Sequence, residues 1–340
     1  MKLDANTMSL DLQDIPAQVK AIEHMGFDAV WTAETQHDAF LPLVLAAEHT
    51  RNIQLGTAIA VAFARSPGNL AYIAWDLAKY SRGRFILGLG SQVKAHNIRR
   101  FGATWEKPAA KMREIVLAIR ALWECWQNRT PLNFRGEFFN LNLMTPFFDP
   151  GPHEYSRIPI YIAGVNPLMC QVAGEVCDGL HVHPLTSPDY LREVILPNVM
   201  KGLEKSGRTR EDMTICLSFF AIPTDDPDRS AIEQMVRQQI GFYASTPAYK
   251  GVMELHGWQD AQAQLSKLVR EGRWKEIPEA ITDEMLHAFA VVGPWTELPT
   301  LIKTRYGSLV DRGRFYFPFI PGEKDPIWRQ IVQAFKDNTR

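Results

Sequence analysis

Three short segments of this chain hold residue types that can move protons or grip a cofactor. The first is Ala33-Glu34-Thr35-Gln36-His37-Asp38, which puts two carboxylates and an imidazole within five residues. An imidazole titrates near neutral pH, so His37 can act as general acid or base with Glu34 supporting it. The same loop also reads as a helix entry, with Asp38 capping a helix that starts near Phe40. The second segment is Gly88-Leu89-Gly90-Ser91-Gln92, followed by His96, Arg99 and Arg100. Val93 stands where a dinucleotide fingerprint needs its third glycine, so that reading is rejected. A tight turn offering backbone N–H groups to a ligand and a plain surface loop both fit. His96 is a further proton-transfer candidate. The third segment is Asp178-Gly179-Leu180-His181-Val182-His183-Pro184. Period two puts His181 and His183 on one face of a strand. Such a pair can ligate zinc, but zinc needs a third ligand and partners behind it. No second His/Asp cluster has ligand spacing, so the histidines read as pocket-lining or hydrogen-bonded core residues, and His181 stays a catalytic candidate.

Two further stretches suit a cofactor. Gly164-Val165-Asn166 precedes Pro167, and proline favours the first position of a helix. The N–H groups and dipole of that helix start suit phosphate, although plain capping explains the residues equally well. Gly56-Thr57-Ala58-Ile59-Ala60-Val61 is a strand end of small residues, where a flat ring can approach the backbone.

The elements that must position these residues alternate regularly. Strand-like runs cover 2–7, 28–32, 53–61, 84–89, 158–163, 178–182, 213–222 and 314–320. Helical patterns cover 15–25, 40–50, 67–80, 107–126, 167–176, 188–206, 228–243, 295–306 and 326–337. Eight strand–helix units predict an α/β fold, a (β/α)₈ TIM barrel formed by residues 1–340 as one domain, with a doubly wound sheet as the alternative. Two irregular insertions interrupt it, about 127–157 after strand 4 and 245–287 after strand 7. The first holds a hairpin around Asn133–Asn140; the second is a lid or a dimerisation element. In such a barrel the active site lies at the C-terminal strand ends, where all three segments fall.

Composition narrows the partners. The 340 residues carry 37 basic and 38 acidic side chains, a net charge of −1, which gives no footprint for nucleic acid. Cys125, Cys170, Cys177 and Cys216 form no CxxC pair and read as buried thiols of a reducing cytosol. The N-terminus lacks an apolar signal region, and the apolar stretch at 41–47 is far too short to span a membrane. A soluble, cytoplasmic protein is expected.

Taken together, GFDAVWTAE, LGTAIAVAFARSP, SRGRFILGLGSQVKAH and PIYIAGVNPLMCQVAGEVCDGL resemble the luciferase-like monooxygenase superfamily, most closely its F420-dependent oxidoreductase branch. The resemblance spans roughly residues 1–220 and resumes around 291–319. It implies a barrel, often a homodimer, that binds coenzyme F420, or alternatively FMN, over its C-terminal mouth. It implies a non-prolyl cis peptide at Ala58–Ile59 backing the ring, Ser91 and Gln92 along the cofactor tail, and Gly164, Val165 and Asn166 around its phosphate. The family's acid/base histidine commonly follows an acidic residue directly. Here Thr35 follows Glu34 and the nearest histidine is His37, so His37 supported by Glu34 is the expected donor, with His96 and His181 as rivals. A glutamate found after the strand-4 glycines in some F420 enzymes is replaced by Val93.

The expected reaction is hydride transfer between F420 and a small organic substrate, and replacing His37 by Ala or Asn should abolish most turnover. An FMN-dependent monooxygenase, a metal-dependent hydrolase using His181 and His183, and a non-catalytic cofactor-binding barrel are the competing readings.

Overall fold

The computed structural model describes residues 1–7 and 11–337. Eight parallel strands close into a barrel: β1 (Lys2–Asn6), β2 (Ala29–Thr32), β3 (Gln54–Thr57), β4 (Phe85–Gly90), β5 (Ile160–Gly164), β6 (Gly179–Val182), β7 (Thr214–Pro223) and β8 (Arg312–Phe315). Closure is made by β8, whose Arg312 sits opposite Lys2 of β1 and Cys216 of β7. Around the barrel lie α1 (Ile15–Met25), α2 (Leu41–His49), α3 (Pro67–Tyr80), α4 (Pro108–Asn128), α5 (Pro167–Val176), α6 (Leu196–Lys205), α7 (Arg229–Ala244), α8 (Leu298–Tyr306) and α9 (Asp325–Lys336). Strands covered by helices outside and filled inside are buried on both faces, so they read as continuous apolar runs; β4 (FILGLG) is buried along its whole length.

Aspartates staple the strands together at the N-terminal end. Asp28, just before β2, accepts the N–H of Leu3 in β1 at 2.9 Å. Asp178, just before β6, accepts that of Ile160 in β5 at 2.7 Å, and Asp311, just before β8, that of Ile215 in β7 at 2.7 Å. Each pairs an even-numbered strand with the odd-numbered one before it and satisfies a donor that the ladder leaves open.

The main core packs between strands and helices. A smaller one inside the barrel is formed by Ala29, Trp31, Ile86, Tyr161 and Cys216. Beside it lies a polar network. Asp4 accepts Arg312 Nε at 2.9 Å, Arg312 Nη2 at 2.8 Å and Trp31 Nε1 at 2.8 Å, while Arg312 Nη1 reaches Gln54 Oε1 at 2.6 Å.

The chain departs from its sequence pattern in four places. The run expected at 53–61 splits, and Ala60–Val61 pairs with β4 beyond a break at residues 58–59. The eighth strand lies at Arg312–Phe315, not 314–320, because the chain leaves the sheet before Pro318, which has no N–H for a ladder. An extra strand, Ala290–Gly293, pairs with the upper end of the ten-residue β7. Finally, 245–287 is not irregular: helices Lys250–Leu255, Gln259–Arg270 and Asp283–Phe289 occupy it. In the first insertion the expected hairpin is present as Phe134–Arg135 against Asn140–Leu141. It is pinned to α4 by the buried Glu114 carboxylate, which accepts the N–H groups of Glu137, Phe138 and Phe139 at 2.6–2.9 Å.

Candidate active site

At the C-terminal ends of the strands the barrel interior is lined by small or partly exposed residues. Ala58, Ile59, Ser91, Gln92, Ala163, Val165, His183, Arg314 and Tyr316 are all half-buried, as residues around a cleft are. The peptide bond between Ala58 and Ile59 is cis. It is held from both sides, since Ala58 N–H donates to Thr32 O at 2.6 Å and Ile59 O accepts from Glu34 N–H at 3.0 Å.

The strand-4 glycines have a steric cause. A Cβ on Gly88 would lie 1.7 Å from the Thr57 carbonyl oxygen, and one on Gly90 would lie 2.6 Å from the Ile59 side chain. Thr57 and Gly88 also exchange two hydrogen bonds, Oγ1–H to Gly88 O at 2.6 Å and Gly88 N–H to Oγ1 at 2.9 Å. These glycines therefore let β3 and β4 approach under the cis step. The turn itself comes next, at Gln92, whose φ of 57° is left-handed. Gln92 Oε1 accepts the Val93 N–H at 2.9 Å, and the buried Asn97 donates to Ser91 O at 2.7 Å, which fixes the loop.

Glu34 is buried, but its partner is Arg65 and not His37. Its Oε2 accepts Arg65 Nη1 at 2.6 Å and Val61 N–H at 2.7 Å, and Arg65 Nη2 continues to Asp38 Oδ2 at 2.7 Å. Asp38 Oδ1 accepts the N–H groups of Phe40 and Leu41 at 2.7 and 3.1 Å, so the helix-entry reading of this aspartate holds. The expected support of His37 by Glu34 is therefore corrected: the carboxylate closes an ion-pair chain that ties the β2 loop to the cis step. His37 is exposed and lines a surface cavity of about 470 Å³ with Asp11, Gln13 and Pro42. His96 is exposed on the short helix Lys94–Arg100.

Of the two histidines, His181 lies in β6 and points into the barrel, while His183 stands just past the strand's C-terminal end. His181 is buried between Trp31, edge-on at 4.8 Å, and Tyr161 at 5.5 Å. Burial, reinforced by Arg314 and Arg312, holds it far below the ordinary imidazole value, so it is neutral. His183 sits higher, stacked on Tyr249 at 4.2 Å and edge-on to Tyr243 at 4.4 Å. Burial pushes its pKa down to about 3. Its Nδ1 accepts the Leu185 N–H at 3.1 Å, so the neutral ring carries its proton on Nε2. The sequence offered His183 as half of a metal pair or, preferably, as a pocket-lining or core histidine, but not as a catalytic candidate. Its period-two relation to His181 was the available signal for a mouth position. Among the described residues no group of three His, Cys, Asp or Glu side chains could hold a metal ion. Tyr243 and Tyr316 complete this wall, their hydroxyls 2.7 Å apart with Gln239 Oε1 accepting from Tyr316 at 3.1 Å.

Gly164, Val165 and Asn166 lead into α5, whose first turn has no side-chain cap. Asn166 instead donates Nδ2 to Ala248 O at 3.1 Å, tying this turn to the second insertion. The uncapped N–H groups fit a phosphate or a similar anion.

The sequence profile of the luciferase-like monooxygenase family matches residues 2–312. The chain is 46% identical over 313 residues to an uncharacterized protein of Mycobacterium tuberculosis, covering 92% of each. It is 31% identical over 284 residues to the 5,10-methylenetetrahydromethanopterin reductase of Archaeoglobus fulgidus, covering 81% of this chain and 80% of that one. The coenzyme F420-dependent tetrahydromethanopterin reductase from Methanopyrus kandleri superposes with a TM-score of 0.80 at 20% identity, covering 100% and 99% of the two chains, and shows the shared barrel fold. The chain belongs to the luciferase-like monooxygenase family and is an enzyme of the barrel class.

Proposed function

We propose, starting from this family membership, that the protein is an F420-dependent oxidoreductase that transfers hydride between the deazaflavin and a small organic substrate. The observation that carries this reading is the half-buried strand end Ala58–Ile59 at the mouth, seated on Gly90 and held by backbone hydrogen bonds to Glu34 and Thr32. It offers a flat, apolar, rigid seat for a ring. The uncapped start of α5 lies at another strand end of the same mouth and suits the phosphate of such a cofactor. When bound, the deazaflavin supplies the hydride chemistry.

The chain's own residues place the ring, exclude water and handle one proton. Ala58 and Ile59 back the ring, Ser91 and Gln92 follow the tail, and Gly164, Val165 and Asn166 meet the phosphate. His183 presents its Nε2–H inside the mouth with the ring neutral, and it is the hydrogen-bond donor to a reacting substrate oxygen that the geometry favours. His37 is the competing donor and would have to turn inward from the rim. Tyr249 and Ala248 bring the helical insertion over the cleft, where it can close as a lid.

The test is a fluorescence titration of the protein with F420 and, separately, with FMN. Saturable binding of F420 alone is expected. Binding of FMN alone would instead support a flavin-dependent monooxygenase, and binding of neither would remove this reading.

A further inference from the structure

Among the described residues, the cation of Arg314 inside the barrel forms no direct ion pair, and its nearest carboxylate, Asp4, is already committed. Arg314 of β8 lies opposite Asp4 of β1 and Ser218 of β7, with its side chain on the inward face shared with Arg312. It is half-buried, and among the described residues its guanidinium makes no hydrogen bond or ion pair. Each group that could neutralise it is occupied or uncharged. The Asp4 carboxylate is filled by Arg312 and Trp31. Burial pushes the Cys216 thiol and the Tyr161 phenol up to about 12, so both stay protonated. The Tyr316 hydroxyl is engaged by Tyr243 and Gln239.

A second group nearby is also without a partner. His181 is 4% exposed, and neither ring nitrogen has a well-formed hydrogen bond, although the Thr57 backbone is a polar neighbour. A buried polar ring left unsatisfied is costly, and so is a partly desolvated charge with no opposite charge. Both groups lie on the inward wall beneath the mouth, Arg314 near enough to disfavour a charge on His181, and an anionic oxygen group beside the guanidinium would balance its charge.

We propose that Arg314 forms the floor of the substrate site and receives a carboxylate of the organic substrate, with the buried His181 beneath it as a neighbour that senses the added charge. This deepens the oxidoreductase reading and rests on the same mouth being the reaction site. The guanidinium fork matches a planar carboxylate. One positive charge is balanced by one carboxylate; a phosphate dianion would leave a negative charge over.

The experiment uses the full chain without cofactor and follows the histidine ring nitrogens by ¹⁵N NMR during titration with benzoate, acetate and inorganic phosphate. Thermal melts of the same samples are run beside it. Saturable carboxylate binding that shifts the His181 signals is expected. Arg314→Gln should weaken it by about tenfold or more, and Arg314→Lys by less, since the charge remains. Without added anion, Arg314→Gln should melt at a higher temperature than wild type, because it removes an unbalanced charge; benzoate should raise the wild-type melt but not that of the variant. Equal carboxylate binding in Arg314→Gln, a variant that loses stability, or phosphate bound more tightly than benzoate would each overturn the proposal. If F420 binds and carboxylates do not, this inference fails alone. If carboxylates bind through Arg314 but neither F420 nor FMN binds, the floor stands and the oxidoreductase reading fails.

Discussion

His181 in β6 and His183 just beyond its end stand two residues apart, yet their surroundings give them different work. His181 is walled in by Trp31 and Tyr161, whereas His183 has a fixed tautomer and lines the mouth. A hydrogen-bond donor must reach the reacting oxygen before its strength matters, and His183 meets that condition more directly than His37 on the outer rim. Replacing His183 by Asn is expected to lower kcat by about 10²–10⁴-fold while leaving the F420 dissociation constant almost unchanged. The parallel His37→Asn variant decides between them: a comparable loss there, with His183→Asn active, would return the role to the loop histidine. Glu34 makes a different prediction. Its carboxylate holds Arg65 and the Val61 N–H just beyond the cis step. Glu34→Gln should cost about 1–3 kcal/mol in urea unfolding and weaken cofactor binding together, because the seat and the fold share that carboxylate.

At the scale of elements, the closest approach in the barrel is between β3 and β4. Gly88→Ala would drive a methyl into the Thr57 carbonyl, and it should destabilise by about 3 kcal/mol or more, read from a shifted unfolding midpoint. The alternation of strands and helices was legible because β4 and β5 are unbroken apolar runs, β7 is mostly one, and Gly26 and Pro167 mark helix ends. Less legible was whatever depends on long-range contact. The glycines of Gly88-Leu89-Gly90 read as a ligand turn, while their cause is a neighbouring strand invisible at that spacing. Ala290–Gly293 escaped notice because a four-residue strand is a strand only where the overlong β7 offers an edge. The helices within 245–287 are too short to show much periodicity. Asp28, Asp178 and Asp311 were visible as residues but not as staples, since their partners lie one strand away. For the same reason, Asp178→Asn should cost about 1–3 kcal/mol without touching the mouth, which unfolding and F420 titration together would check.

For the whole molecule, acid is the most informative perturbation. No helix among the described residues is long and apolar enough to cross a membrane. His181 and His183 both have folded pKa values well below the ordinary imidazole value, chiefly through burial. The unfolded chain regains ordinary histidines, which bind protons below about pH 6.5. Between that pH and about 3, where His183 finally titrates, the unfolded state therefore holds more protons than the folded one. Stability then rises with pH through this window and levels off above it, with a slope of about 1.4 kcal/mol per pH unit for each histidine. The carboxylates of Glu23, Glu175 and Asp226 are shifted down by their hydrogen-bond and ion-pair partners, and their losses come at lower pH, below the ordinary carboxylate range. Moving from pH 7 to pH 5 should thus remove up to about 4 kcal/mol through the two barrel histidines, seen as a lower urea midpoint. The double variant His181→Asn, His183→Asn should flatten that dependence, because no imidazole then has to be discharged on folding. A drop of undiminished size in the double variant would move the acid sensitivity out of the barrel, to His153 and His256, which burial also shifts downward.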